Sequence, residues 1–154
     1  MKIESPAFVD ADRIPQSYTC DGDRLLSPAL TISEVPEAAK SLALIVDDPD
    51  VPKAIRPDGH FTHWVVFNIP PDTESIPEGS KIGVHGANTR GNAEYSGPCP
   101  PPEYEPTTHR YIFTLYALDT MLDLPEGASK EEVESVMEGH TLETAELMGT
   151  YSRV

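Results

Sequence analysis

Proline constrains this chain more than any other residue does. Sixteen of the 154 residues are proline, roughly twice the usual share of about 5%. They are spread through the first two thirds. Each fixes φ and removes a backbone donor, so no long helix can run there. Short strands can, with the prolines at the turns and edges between them. Ser41–Asp47 is an apolar run that ends in a proline-rich turn, and it reads as a well-buried strand. His63–Ile69 has the same character and stops at Pro70-Pro71. Arg110–Leu118 is the strongest strand, rich in aromatic and β-branched residues. Weaker strands are expected near Ala29–Ile32 and Ile82–His85. Helical signals come late. Ser129 and Glu132 form a Ser-x-x-Glu capping pattern, Val133, Val136 and Met137 follow at helical spacing, and Gly139 supplies a stop. A second helix is predicted over Thr141–Met148, with a closing strand over Thr150–Val154. The sum is an all-β chain, a single domain over 1–154, built as a sandwich or barrel with a few short helices near the C-terminus.

Charge narrows the partners. The formal net charge is −15, which repels nucleic acid and anionic membranes at long range. An anionic ligand must therefore be caught by a local cluster of donors. No apolar run of signal-peptide or membrane-span length follows Met1, so a cytoplasmic protein without membrane insertion is expected. Cys20 and Cys99 form no Cys-x-x-Cys pair, and the plain expectation is two reduced thiols. The Gly-x-Ser-x-Gly elbow, the Walker loop and the dinucleotide glycine fingerprint are all absent, so no cofactor is expected.

Four clusters have chemical potential. Asp47-Asp48-Pro49-Asp50-Val51-Pro52 holds three carboxylates on a stiff turn at the end of a strand. Its spacing does not suit a calcium loop. His60-Phe61-Thr62-His63-Trp64 contains His-x-x-His, but residues three apart on a strand face opposite ways and cannot share a metal. Gly97-Pro98-Cys99-Pro100-Pro101-Pro102 is a rigid wall in which one X-Pro bond is a candidate for cis. In His109-Arg110-Tyr111, alternation puts His109 and Tyr111 on one face and Arg110 on the other, where an acidic partner is expected.

Taken in order along nearly the whole chain, these pieces resemble the phosphatidylethanolamine-binding protein family, and its bacterial and archaeal Raf-kinase-inhibitor-like branch in particular. Ser5-Pro6-Ala7-Phe8, Tyr18-Thr19-Cys20-Asp21-Gly22 and Ser27-Pro28 resemble that branch's opening. Asp48-Pro49-Asp50-Val51-Pro52, His63–Pro70, Gly97–Pro101 with His109-Arg110-Tyr111, and Ala145–Tyr151 resemble its later signatures. The resemblance implies an antiparallel Greek-key β-sandwich. It also implies a small anion pocket formed by Asp48, His63, Gly97, Pro98, His109 and Tyr111, with Asp50 and Pro52 shaping the rim. In that pocket His63 and His109 would donate ring N–H groups to the anion, and Asp48 would fix a histidine tautomer. Two places depart from the pattern. Glu103 and Glu105 stand before His109, and Arg90 stands where the branch often has an aromatic residue.

The function so implied is non-enzymatic binding of a phosphate-like anion or a phosphorylated headgroup. Regulation of a kinase or another phosphorylated protein, and a homodimer, come with the same resemblance. The alternative is a hydrolase or metal-assisted enzyme using Asp48, Asp50, His63 and His109, whose residue types suit acid–base work. A third reading is an interaction module with a vestigial pocket.

Overall fold

The computed structural model describes residues 1–23 and 26–153. In chain order its strands are β1 (Lys2–Glu4), β2 (Leu30–Ser33), β3 (Ser41–Asp48), β4 (Phe61–Ile69), β5 (Ser75–Ile76), β6 (Val84–His85), β7 (His109–Leu118) and β8 (Thr141–Tyr151). Helix α1 (Lys130–Met137) precedes the last. Three strands form a small sheet in the order β1-β2-β5, and five form a larger one in the order β6-β4-β3-β7-β8. Every pairing between these strands is antiparallel. The fold is thus the expected antiparallel β-sandwich.

Leu42, Leu44 and Val46 of β3, Trp64 and Val66 of β4, and Phe113 and Leu115 of β7 fill the space against the small sheet. Ala43, Ile45, Val65 and Phe67 point the other way, under Val133 and Met137 of α1. The central strands are therefore buried on both faces, which is why they read as unbroken apolar runs rather than alternating ones. Full burial of each large apolar side chain contributes about 1.5–3 kcal/mol. The capping box forms as the sequence predicts: Glu132 N–H donates to Ser129 Oγ, and Ser129 N–H donates to Glu132 Oε1, each at 3.1 Å.

Three expectations are corrected. Thr141–Met148 is not a helix but the first part of β8. β7 would otherwise leave its backbone edge unpaired, and β8 covers it from Thr141↔Leu118 to Tyr151↔His109. The closing strand is accordingly longer than Thr150–Val154. Cys20 and Cys99 are not free thiols but a disulfide. The fold carries their loops together: Cys20 N–H donates to the Pro98 carbonyl at 3.0 Å. The cis X-Pro bond lies at Glu105–Pro106, not within residues 97–102. Among the described residues no helix is long and apolar enough to cross a membrane.

Candidate functional site

Strand register gathers the candidate residues at one end of the large sheet's three central strands. The C-terminal end of β3 meets the N-terminal ends of β4 and β7, with Asp48 opposite Phe61 and Asp47 opposite Ile112. Between Val46↔Trp64 and Asp47↔Thr62 the register slips, leaving His63 as the extra residue of a β-bulge. A bulge re-aims its side chain. Here it sets the His63 ring beside Phe61 and Tyr111, with centroids at 4.6 and 5.2 Å.

The three carboxylates of the β3 turn go to three different places. Asp47 faces α1, accepting from Thr62 Oγ1 at 2.8 Å and Lys130 Nζ at 2.7 Å. Asp48 is buried and accepts from the Asp50 backbone N–H at 2.8 Å and from His109 Nδ1 at 2.6 Å. Asp50 receives Arg110 three times, from its backbone N–H and Nε at 2.9 Å each and from Nη2 at 2.8 Å. The Arg110 hydrogen bonds hold the Asp50 carboxyl below its ordinary range, against the opposing effect of burial.

The two site histidines differ in proton state. His63 Nδ1–H donates to the Ser96 carbonyl at 2.7 Å. Because a carbonyl only accepts, that nitrogen carries the proton and Nε2 keeps a lone pair. Burial pushes the His63 pKa down to about 4, outweighing the Ser96 carbonyl and the Asp48 and Asp47 charges. His109 lies between two acceptors, the Asp48 carboxylate and the Pro106 carbonyl, the latter at 2.9 Å from Nε2. Both of its nitrogens donate, so it is an imidazolium. Burial alone would lower its pKa, but the Asp48 hydrogen bond and charge win and raise it. Tyr111 stacks on His109 at 6.4 Å, and its buried hydroxyl has no hydrogen-bond partner among the described residues. Burial, and then the Asp48 charge, keep this phenol protonated far above its usual range.

These groups open into a cavity of about 360 Å³. Asp48, His63, Gly97, His109 and Tyr111 are among the residues that line it. Asp50, Pro52 and Pro98 are not among its lining residues. The Pro52 carbonyl accepts from the N–H groups of Ile55 and Arg56 at 2.9 and 3.0 Å, and that turn presents both side chains to the cavity. Gly97 is a packing position. A Cβ there would lie 3.0 Å from Thr19 Cα, so glycine is needed where the Tyr18–Thr19 backbone packs. His109 has no N–H left for a ligand. The residues missed from sequence are the apolar walls Val51, Ile55, Phe61, Pro100 and Pro101, and Arg56 at the mouth. Phe61 was legible in principle, two residues from His63. Arg90, whose role the sequence left open, also lines the cavity, whereas Glu103 and Glu105 do not.

Comparison with known proteins agrees with the fold. The family model described as phosphatidylethanolamine-binding protein matches residues 4–152. The chain belongs to the phosphatidylethanolamine-binding protein family. A relative described as a UPF0098 protein, from Methanothermobacter thermautotrophicus, is 50% identical over 99% of both chains. Another from Chlamydia pneumoniae is 49% identical, again over 99% of both. Among solved structures, the family homolog CT736 from Chlamydia trachomatis superposes with a TM-score of 0.93 at 46% identity, covering 99% of this chain and 97% of that one. Escherichia coli YbcL, described as a new member of the mammalian family, gives 0.86 at 28% identity, with 99% and 98% covered.

Proposed function

We propose that this family member is a non-enzymatic binding protein whose cavity takes a phosphate-like anion or a phosphorylated headgroup. The observation that carries the reading is the unpartnered Tyr111 hydroxyl, buried in a cavity whose mouth holds Arg56 and Arg90. A buried donor without a partner is costly unless a ligand or water fills the place. Arg90 makes no side-chain hydrogen bond or ion pair among the described residues, and Arg56 uses only Nε, toward the His60 carbonyl at 3.1 Å and the Asp58 carboxylate at 3.9 Å. Two guanidinium groups with donors to spare, in a chain of net charge −15, make a local cationic spot on an acidic surface. The absence of catalysis is supported by the state of the candidate groups. Neither cysteine is free, His109 has no lone pair to act as a base, and His63 is a poor base at neutral pH. Regulation of a kinase or other phosphorylated partner is the wider role this pocket would serve. Titration with inorganic phosphate, followed by NMR of the His63 and Tyr111 rings, tests the proposal. Saturable shifts that weaken in Arg90→Ala are expected. No response at millimolar phosphate overturns it.

A further inference from the structure

A second orphaned donor lies away from the cavity around His63. Trp64 is buried, and its Nε1–H has no hydrogen-bond partner among the described residues. A buried indole N–H normally finds one. The Trp64 ring lies beside His85 of the edge strand β6, with centroids 6.1 Å apart, and edge-on to Tyr95 at 5.4 Å. These three rings line a small cavity of about 30 Å³. It shares no lining residue with the cavity around His63. Ser27, Ser80, Lys81 and Glu94 also line it.

The space suits one water-sized or monatomic occupant, since a water takes up about 30 Å³ in the liquid. Its walls are rich in donors. Trp64 and Lys81 can only donate. Lys81 makes no ion pair, and the buried Ser27 hydroxyl no hydrogen bond, among the described residues. Ser80 Oγ already accepts from the Ile82 N–H at 3.1 Å, which leaves its own hydrogen to donate. Tyr95 O–H is spent on the Tyr18 carbonyl at 2.7 Å. Burial, and then the Lys81 charge, hold His85 below its ordinary pKa, so at neutral pH its ring brings one N–H and one lone pair. Glu94 is the one carboxylate among the lining residues, and Lys81 offsets its charge. A cation would leave the Trp64 N–H unanswered. A water has too few lone pairs for the donors that meet here.

We infer that this cavity is a binding site for a single halide-sized monoanion, held by Trp64 Nε1–H, the Ser27 and Ser80 hydroxyls and the Lys81 ammonium. A monatomic anion accepts from every direction and so answers all of these donors, whereas a polyatomic oxyanion is too large for the space. The ion joins β4, the two-residue strand β6 and the loops that carry Ser27 and Ser80. It thereby fastens the short edge of the large sheet. The site is independent of the phosphate reading of the other cavity.

Trp64 is the only tryptophan in the sequence, so its indole N–H gives a single nitrogen NMR resonance. The whole chain is titrated with sodium chloride and with sodium bromide. Sodium gluconate holds the ionic strength at about 0.5 M, so that screening does not change. A saturable shift of the indole resonance is expected with both halides. Lys81 is exposed, so Lys81→Gln should fold normally. Its halide affinity should fall about tenfold, the loss of one charge-assisted hydrogen bond. Inorganic phosphate at the same ionic strength should leave the indole resonance unmoved. No halide response, or a drift that does not saturate, overturns the inference and leaves the cavity to water. An unchanged affinity in Lys81→Gln overturns it too, by moving the halide elsewhere. A phosphate response equal to that of chloride overturns the selection by size.

Discussion

His63 and His109 are buried at the same strand ends, yet one is neutral and the other charged, and the difference lies in what their second nitrogens face. This has a consequence for stability. The folded pKa of His63, about 4, lies below its unfolded value of about 6.5. Such a group contributes stability that is fully present above the unfolded value and is lost as pH falls toward the folded one. The size is about 3 kcal/mol, from the shift at 1.36 kcal/mol per unit. His109 works in the opposite sense. Its pKa is raised, so its contribution is full below about 6.5 and is lost as pH rises through the folded value. Asp50, with a lowered pKa, acts only at still lower pH. Urea unfolding between about pH 6.5 and about pH 4 should therefore show a steep loss of stability that flattens in His63→Gln. An unchanged slope in the variant would show that other groups carry the acid sensitivity.

β8 shows how an element can overrule its own composition. Thr141–Met148 is rich in residues that favour helices, but β7 needs a partner along its length, and context decides between comparable local preferences. The alternation that supports the strand was visible: Leu147, Gly149 and Tyr151 all turn inward. Gly149 is the tightest of the three, since a Cβ there would lie 2.4 Å from Ile14 Cγ1. Gly149→Ala should cost about 1–3 kcal/mol by overpacking. The cost should shrink in an Ile14→Ala background, measured by a double-mutant unfolding cycle. Equal costs in both backgrounds would place the strain elsewhere. The buried runs of β3, β4 and β7 and the capping box of α1 were legible because each is a local pattern. The facing of His109, Tyr111 and Arg110 was legible too, because strand alternation has a period of two. The bulge at His63 was not, because it exists only in the register between two strands. Nor were the Ser96 and Pro106 carbonyls that set the histidine proton states, since backbone acceptors carry no sequence signature. Arg56 was missed for a similar reason. It reaches the cavity through a turn whose hydrogen bonds end on the Pro52 carbonyl, and nothing in Arg56-Pro57-Asp58 announces that direction.

At the scale of the whole molecule, the Cys20–Cys99 bond joins two segments separated by 79 residues, and Cys99 is part of the cavity wall. Two cysteines without a Cys-x-x-Cys pair read as thiols, because sequence spacing says nothing about two loops meeting across a sandwich. The loops do not depend on the bond alone. Gly97 packs against Tyr18–Thr19, Cys20 N–H donates to Pro98, and Tyr95 O–H donates to the Tyr18 carbonyl at 2.7 Å. The reduced chain should therefore still fold, losing mainly the restriction that the bond places on the unfolded state. For a loop of this length the chain-entropy model gives roughly 4–5 kcal/mol. Guanidinium unfolding of a Cys20→Ser, Cys99→Ser double variant should show that loss. It should also show a steeper denaturant dependence, because an uncrosslinked chain exposes more surface when it unfolds. A loss well below that range would mean that the packing around Gly97 already confines these loops in the denatured ensemble. The size of the loss also bears on where the protein can work. A reducing cytoplasm withholds this contribution, whereas an oxidising compartment, or the cytoplasm of an organism that keeps intracellular disulfides, supplies it. A thiol count on protein taken from its native cells, quenched before lysis, decides between the two. Free thiols would mean that the chain functions on packing alone, and a bonded pair would mean that the wall of its pocket is held covalently.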